Sequence, residues 1–92
     1  MNEFVLNLSG ARLRRADLSN TNLTRANFSR ADFSCANFRG ANFKDANLEG
    51  TILIGADLSD TSNLTWLQLN KAVIDETTIP PKSLTDQRVP AE

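Results

Sequence analysis

The chain has 92 residues and carries ten basic and eleven acidic side chains, for a net charge of −1. A single cysteine and the absence of histidine exclude an internal disulfide, a thiolate metal cluster and catalysis by a histidine base. A chain of this length forms one small domain. The N-terminal segment 1–7 lacks a basic stretch followed by a long apolar run, so we expect no signal peptide, no membrane span and a cytoplasmic location.

A five-residue rhythm runs through most of the sequence. Alanine recurs two residues before most of the central Leu or Phe residues, and Asp or Asn commonly lies between them, as in Ala16-Asp17-Leu18. A period of five fits neither an α-helix nor a flat strand. It predicts a solenoid of short repeated units with a linear core. Eleven consecutive central positions are predicted core residues: Leu8, Leu13, Leu18, Leu23, Phe28, Phe33, Phe38, Phe43, Leu48, Leu53 and Leu58.

The rhythm slips by one residue near 61–64, where the apolar position expected at 63 falls at 64. We favour a one-residue bulge at a corner, followed by degenerate repeats, so that the predicted β-helix domain is 1–79. Four further residues complete the predicted core: Leu64, Leu69, Ile74 and Ile79.

A short terminal helix over about 64–74, capped by Ser62 or Asn63, is the alternative for this segment. Its apolar residues would share one helical face only imperfectly, which favours the bulge. After residue 79, Pro80-Pro81 stops regular pairing, and the polar segment 80–92 is predicted to be a flexible tail.

The run Ala-Asp/Asn-Leu/Phe-x-x from Ala16 to Asp60 resembles the pentapeptide-repeat family of cyanobacteria and other bacteria. The resemblance implies an all-β fold, a right-handed quadrilateral β-helix with four repeats per coil and about four coils. It also implies that the Leu or Phe and the preceding small residue point inward, while the other three positions point outward. Departures from the pattern cluster toward the ends, where repeat proteins modify their capping units: Arg12, Ile52, Leu67, Val73 and Thr78.

With four repeats per coil, residues twenty apart stack, and the four consecutive Phe residues form one aromatic layer between leucine layers. The four glycines and Asn20 fall two places after a central residue, where a type II corner needs a positive φ. The Asp and Asn residues recur in nearly every repeat. We therefore interpret them as partners of the local backbone and not as a binding ladder.

Charge is divided between the two halves of the chain. Residues 1–44 hold seven basic and three acidic side chains, whereas residues 45–92 hold three and eight, so the halves carry +4 and −5. Taken alone, this gradient is explained somewhat better by ordinary solvation of outward positions than by docking. The densest basic patch is a candidate partner-binding site and consists of Arg12, Arg14 and Arg15. Trp66 is a further candidate, which either anchors an interface or caps the core.

The sequence favours a non-enzymatic structural or protein–protein interaction module with an unknown protein partner and without a cofactor or metal. Carboxylate pairs such as Asp75-Glu76 need a desolvated cleft for catalysis, which a smooth rod does not offer. Cys35 is expected at an outward position, and no catalytic role is assigned to it. Arginines without interleaved aromatics argue against direct nucleic-acid binding. A homodimer through one end is a further hypothesis, motivated by the charge gradient and Trp66.

The family resemblance implies one alternative function, a binder or inhibitor of DNA gyrase that mimics DNA. The relatives with that activity are longer, dimeric and strongly acidic. Here the acidic residues are confined to one half of the chain, so this alternative ranks below the interaction module.

Overall fold

A computed structural model describes residues 5–87 of the chain. Residues twenty apart pair in parallel, each through a single bridge, so four consecutive five-residue units close one coil and the coils stack in register. Within the described part, the pairing stays at isolated bridges because each paired segment soon reaches a corner. The regular bridges are Asn7–Asn27, Arg12–Asp32, Asp17–Asn37, Asn22–Asn42, Asn27–Asn47, Asp32–Ile52, Asn37–Asp57 and Asn42–Ser62.

Most corners are closed by two short-range hydrogen bonds. In the repeat centred on Phe33, the Ala31 N–H donates to the Phe28 carbonyl across the preceding corner, at 3.0 Å. The Ser34 N–H donates to Oδ1 of Asp32, also at 3.0 Å. The same bond recurs along the chain: the backbone N–H two residues after an Asp or Asn donates to Oδ1 of that side chain. This confirms the interpretation of the Asp and Asn residues as partners of the local backbone.

The remaining three N–H groups of the same repeat pair with neighbouring coils. They do so at 2.8, 2.9 and 2.8 Å: Asp32 N–H to Ala11 O, Phe33 N–H to Ile52 O, and Cys35 N–H to Ile54 O. All five N–H groups of the unit therefore have partners, as buried backbone requires. The five-residue unit satisfies its backbone without a continuous strand.

The third residue of each corner has a positive φ. Glycine occupies this position at 10, 40, 50 and 55, with φ between 69° and 74°, but seven other repeats place a residue with a side chain there, with φ between 56° and 63°. Together with the hydrogen bond across the corner, this is the type II turn expected from the sequence. The left-handed conformation costs such a residue about 1–2 kcal/mol. The non-glycine residues are Arg15, Asn20, Arg25, Arg30, Cys35, Asp45 and Asp60.

The centre of the core is a single layer of four buried phenylalanines, Phe28, Phe33, Phe38 and Phe43. Ring centroids of consecutive residues lie 5.2, 5.3 and 5.2 Å apart, and the rings of Phe28 and Phe33 are nearly perpendicular at 82°. Such tilted and edge-to-face contacts suit the aromatic quadrupole. Alanines fill the inward positions beside the rings and are 0–1% exposed: Ala26, Ala31, Ala36 and Ala41.

The leucine layers on either side of the phenylalanines differ in burial. Leu48, Leu53, Leu58 and Leu64 are buried in the following layer, whereas in the first coil only Leu23 is. The other central residues of the first coil are half-buried: Leu8, Leu13 and Leu18.

Three buried threonines replace alanine at inward positions, and each hydroxyl donates to a carbonyl. Thr51 bonds the carbonyl of Phe28 at 2.8 Å, Thr61 that of Leu58 at 2.8 Å, and Thr78 that of Leu53 at 2.9 Å. Among residues 5–85, whose side chains the structure describes, no buried side-chain nitrogen or oxygen lacks a hydrogen-bond partner. The narrow interior therefore accepts a hydroxyl only where a carbonyl is within reach.

The register changes twice near the C-terminus. Ile52 pairs with Val73, and Asp57 pairs with Ile79, so the spacings are 21 and 22 in place of 20. The first extra residue is Asn63, which has a φ of 60° and donates from Nδ2 to Asn42 Oδ1 at 2.9 Å.

The second register change corrects the predicted core. Ile79 was expected to point inward, but it takes the outward position next to Asp57 and is 50% exposed. The cause is one extra residue in the corner that follows Ile74, which shifts every later position by one. Thr78, and not Thr77, consequently occupies the inward alanine position.

Helix α1, Trp66–Asn70, replaces the degenerate repeats that the sequence favoured after the bulge, so that interpretation is wrong for this segment. Its N-cap is Thr65, and not Ser62 or Asn63: Thr65 accepts a bond from the Gln68 N–H at 3.1 Å, and Gln68 Oε1 accepts one from the Thr65 N–H at 2.8 Å. This capping box stabilises the first turn. Leu69 is buried as predicted for the core, but from the helix, and Leu67 is 69% exposed.

Gln68 also links α1 to the coil below. Its Nε2 donates to the carbonyls of Phe43 and Ala46, at 2.8 and 3.1 Å. The Ala46 carbonyl would otherwise need a donor from a further coil, as the Ala26 carbonyl accepts from the Asn47 N–H. The Phe43 carbonyl already accepts the corner bond from the Ala46 N–H. Gln68 thus takes over one backbone contact of the repeat that the helix replaces.

Helix α2, Lys82–Gln87, lies where the sequence predicted a flexible tail, and that prediction is wrong for these residues. Leu84 is 4% exposed and packs into the core, and its carbonyl accepts a bond from Trp66 Nε1 at 3.2 Å. The buried Pro81 stands directly before the helix, a place where its missing N–H does no harm. The remainder of the predicted tail, 88–92, and residues 1–4 of the predicted domain lie outside the described residues.

Replacing Phe38 by Ala should lower the free energy of unfolding by about 3–5 kcal/mol, because it opens a cavity in the fully packed aromatic layer. Urea denaturation followed by circular dichroism measures the change. Leu13→Ala, in the half-buried first layer, is the matched comparison and should cost clearly less. Equal losses in the two variants would contradict the assignment of the phenylalanine layer as the centre of the core.

Replacing Leu84 by Ala should destabilise the protein by about 2–5 kcal/mol if α2 is docked as described. Lys82→Ala, an exposed change in the same helix, should have little effect. Thermal and urea unfolding of both variants test the docking. An unchanged midpoint for Leu84→Ala would show that α2 does not cap the core.

Candidate interaction surfaces

The outward side chains form columns because the register repeats every twenty residues, and neighbouring coils lie about 4.8 Å apart. One side of the rod differs in chemistry from the others. It comprises the outward residues of the repeats centred on Leu13, Phe33, Leu53 and Ile74, and we call it the mixed side. Its central column is a continuous ladder of bridges, Arg12–Asp32–Ile52–Val73.

The mixed side is basic in its first coil. Arg12, Arg14 and Arg15 are all exposed there, so the structure brings the three predicted arginines together. In the next coil, hydrogen bonds from the Ser34 hydroxyl and N–H lower the pKa of Asp32, and Arg14 and Arg12 add smaller contributions. Partner binding by the arginines stays a prediction.

The middle of the mixed side is apolar, a feature that the sequence analysis missed. Ile52 is half-buried, while Ile54 and Val73 are 37% and 44% exposed. Beside them lies the free thiol of Cys35, which is exposed at its corner as expected. The signal was available in Ile52-Leu53-Ile54, because only the middle residue of the three can point inward in this repeat.

The far end of the mixed side is acidic. Asp75 and Glu76 are exposed in the corner after Ile74. The Thr77 hydroxyl and N–H donate to Asp75 Oδ1 at 2.5 and 2.8 Å, and these bonds lower the pKa of Asp75. Along about four coils, the side therefore runs from basic through apolar to acidic.

The neighbouring side pairs its arginine, Arg39, with carboxylates of the same molecule. Arg39 lies 3.1 Å from an Asp60 carboxylate oxygen and 3.8 Å from one of Asp57, and it donates to the Ser59 hydroxyl at 3.0 Å. The pKa of Asp57 is lowered because the bonds from Ser59 and the charge of Arg39 outweigh the opposing effect of burial.

Trp66 lies apart from the arginines, in the C-terminal cap. It is half-buried and, with Leu69, Ile74, Asp75 and Glu76 among others, it lines an open pocket of about 540 Å³. The bond from its indole N–H to α2 fits the capping role considered for it. Partner binding by Trp66 stays a prediction.

Among residues 5–85, whose side chains the structure describes, no group of three or more Cys, Asp or Glu side chains is placed to bind a metal ion. The described backbone, 5–87, contains no helix with the length and apolar character needed to cross a membrane.

The model of the pentapeptide-repeat family matches residues 7–45 and 36–75, in eight copies. The chain belongs to the pentapeptide-repeat family. The resemblance noted from the repeated Ala-Asp/Asn-Leu/Phe units is thereby confirmed. Pentapeptide-repeat proteins form right-handed quadrilateral β-helices, and they are generally non-catalytic structural or protein–protein interaction modules.

Two solved pentapeptide-repeat proteins from cyanobacteria resemble this chain. Rfr23 from Cyanothece 51142 is 31% identical, with a TM-score of 0.67 over 80% of this chain and 53% of its own. This pentapeptide-repeat chain therefore spans about half the length of Rfr23. The protein alr5209 from Nostoc PCC 7120 is 24% identical over 82% of this chain and 74% of its own, with a TM-score of 0.32. None of the curated proteins matches.

The corner aspartates should make the free energy of unfolding depend on pH in the acidic range. The pKa values of Asp17, Asp32 and Asp75 are lowered from 3.8 by hydrogen bonds in the folded state. Their contribution to stability is therefore present above pH 3.8 and is lost as the pH falls through their folded-state pKa values.

The triple variant D17N/D32N/D75N should lose less stability on acidification, because an amide oxygen still accepts the corner bond but does not titrate. Asn27 and Asn47 already make this bond in other repeats. Unfolding midpoints measured from about pH 5 down to about pH 2 compare the variant with the wild type over the range in which carboxylates titrate. Parallel pH profiles would contradict the assignment.

Proposed function

We propose that this pentapeptide-repeat protein is a non-enzymatic interaction module that binds a protein partner through its mixed side. The observation that carries this proposal is the combination of exposed aliphatic residues with charges of opposite sign at the two ends of one rigid side. Exposed Ile54 and Val73 would be excluded from water by a partner, and the charged ends would set its orientation.

The rigidity of the scaffold supports a binding role. The inward positions are committed to packing, and the backbone groups of the repeat are committed to corners and neighbouring coils. Outward side chains are thus held in fixed columns, which reduces the entropy lost when a partner orders them. The mixed side is favoured over the neighbouring side because Arg39 and its carboxylates already satisfy one another.

The absence of catalytic activity is part of the proposal and is supported by the family's generally non-catalytic character. The Asp32 and Asp75 carboxylates are occupied by corner hydrogen bonds and lie at the surface, where no burial prepares them for acid–base work. The DNA-mimic alternative requires an extended acidic surface. The three arginines on the first coil interrupt such a surface, so nothing in the structure favours that alternative.

Affinity capture with the folded chain as bait tests the proposed function. The wild type, the mixed-side variant I54E and the control variant K44E, on another side of the rod, are compared at equal loading. We expect a protein retained by the wild type and K44E to be lost with I54E. Circular dichroism checks that all three baits are folded. Retention of the same proteins by all three baits would overturn the assignment of the mixed side.

A further inference from the structure

The mixed side has a property that its separate features do not show: it is complementary to itself. Its first coil carries Arg12, Arg14 and Arg15, and its last coil carries Asp75 and Glu76. Exposed Ile54 lies between these ends, and exposed Val73 lies in the last coil beside the carboxylates. We propose that the mixed side binds the mixed side of a second copy of this chain, with the two rods antiparallel about a two-fold axis. This inference rests on the proposed function and names the partner.

The two-fold arrangement follows from the register. The bridges place Arg12, Asp32, Ile52 and Val73 in successive coils. In the neighbouring column, the Arg15 N–H bonds the Ser34 carbonyl and the Cys35 N–H bonds the Ile54 carbonyl, while Asp75 follows Ile74 in the last coil. A two-fold axis that lies between the two facing sides and crosses the rods at mid-length brings the first coil of one copy opposite the last coil of the other. The contact is isologous, so the arginine end meets the acidic end twice.

The third coil of one copy meets the second coil of the other. Column by column, Ile52 lies opposite Asp32, whose carboxylate is held in its own corner by Ser34. Ile54 lies opposite Ser34, a small side chain that leaves room for the isoleucine. Val73 lies opposite the arginine end, where the aliphatic stems of the arginines can cover it while their guanidinium groups reach the carboxylates.

The charges exclude a parallel pairing of the same sides. In that arrangement the arginine ends would meet each other, as would the acidic ends, and like charges would repel at both ends. Pairing through the C-terminal end is opposed by the cap, because α2 covers that end with Leu84. Antiparallel pairing of the mixed sides is the arrangement that satisfies both the charges and the exposed aliphatic residues.

The expected complex is weak and sensitive to salt. One side of a rod about 20 Å long offers a contact area below the roughly 800 Å² that each partner buries in a stable complex. Exposed ion pairs are screened when the Debye length falls from about 10 Å at 0.1 M salt to about 3 Å at 1 M. Dimers should therefore form at high protein concentration in low salt and dissociate in high salt.

Sedimentation velocity of the full chain tests the proposal with two charge-changing variants. R12E/R14E makes the basic end acidic, and D75N/E76K makes the acidic end basic while an oxygen is kept for the corner bond of residue 75. Each variant alone should weaken dimerisation by about tenfold or more, because like charges then face each other at both ends. An equimolar mixture should dimerise again, since each altered end then meets an opposite charge.

The variants K44E and E49K make charge changes on other sides of the rod and serve as controls for net charge. Both should dimerise like the wild type, and circular dichroism checks that every variant is folded. A wild type that stays monomeric in low salt, or a mixture of charge variants that does not recover, would overturn the antiparallel dimer. If a different protein is still captured in a manner that I54E abolishes, the proposed function survives while the inference about a second copy fails.

Discussion

The hydrogen bonding of the corner is the constraint on which the rest of this structure depends. A chain that turns every five residues leaves two N–H groups per repeat that reach no neighbouring coil. One closes the corner onto the preceding central carbonyl, and the other donates to a carboxylate or amide oxygen two residues earlier, as the Ser34 N–H does to Asp32 at 3.0 Å. With that donor satisfied, the other N–H groups are free to bridge coils or close the corner. The recurrence of Asp and Asn in the sequence is therefore a backbone requirement.

This constraint determines what the interior can hold. Only two residues per repeat point inward, so the tube is filled by one large and one small side chain, and the four phenylalanines close it as a single layer of touching rings. The strain of the left-handed corners is tolerated because the bridges between coils and the packing of the core stabilise every repeat. Seven corners carry a residue other than glycine, including Arg30 and Cys35, which shows that the local conformational preference is overridden.

The repeat could be predicted from the sequence because each unit satisfies its own requirements, but the C-terminal cap could not. Thr65 and Gln68 match the sequence pattern of a capping box, but the same segment also keeps a weakened five-residue repeat. The helix forms because Gln68 also bonds the carbonyls of the coil below. The docking of α2 depends on the burial of Leu84 and on the indole of Trp66, which are contacts between distant segments. One extra residue in the corner after Ile74 was invisible in the pattern, and it moved Ile79 from the core to the surface.

The chemistry of the surface likewise depends on register, which composition does not contain. The sequence shows only that basic residues precede acidic ones. Stacking at intervals of about twenty residues places Arg39 beside Asp57 and Asp60, so the arginine of that side is paired within the molecule. On the mixed side, the same interval leaves Arg12 and Arg14 three coils away from Asp75, with isoleucines between them. That separation of about 14 Å exceeds the Debye length of about 8 Å at physiological ionic strength, so a second molecule, and not this one, can best bring the two ends together.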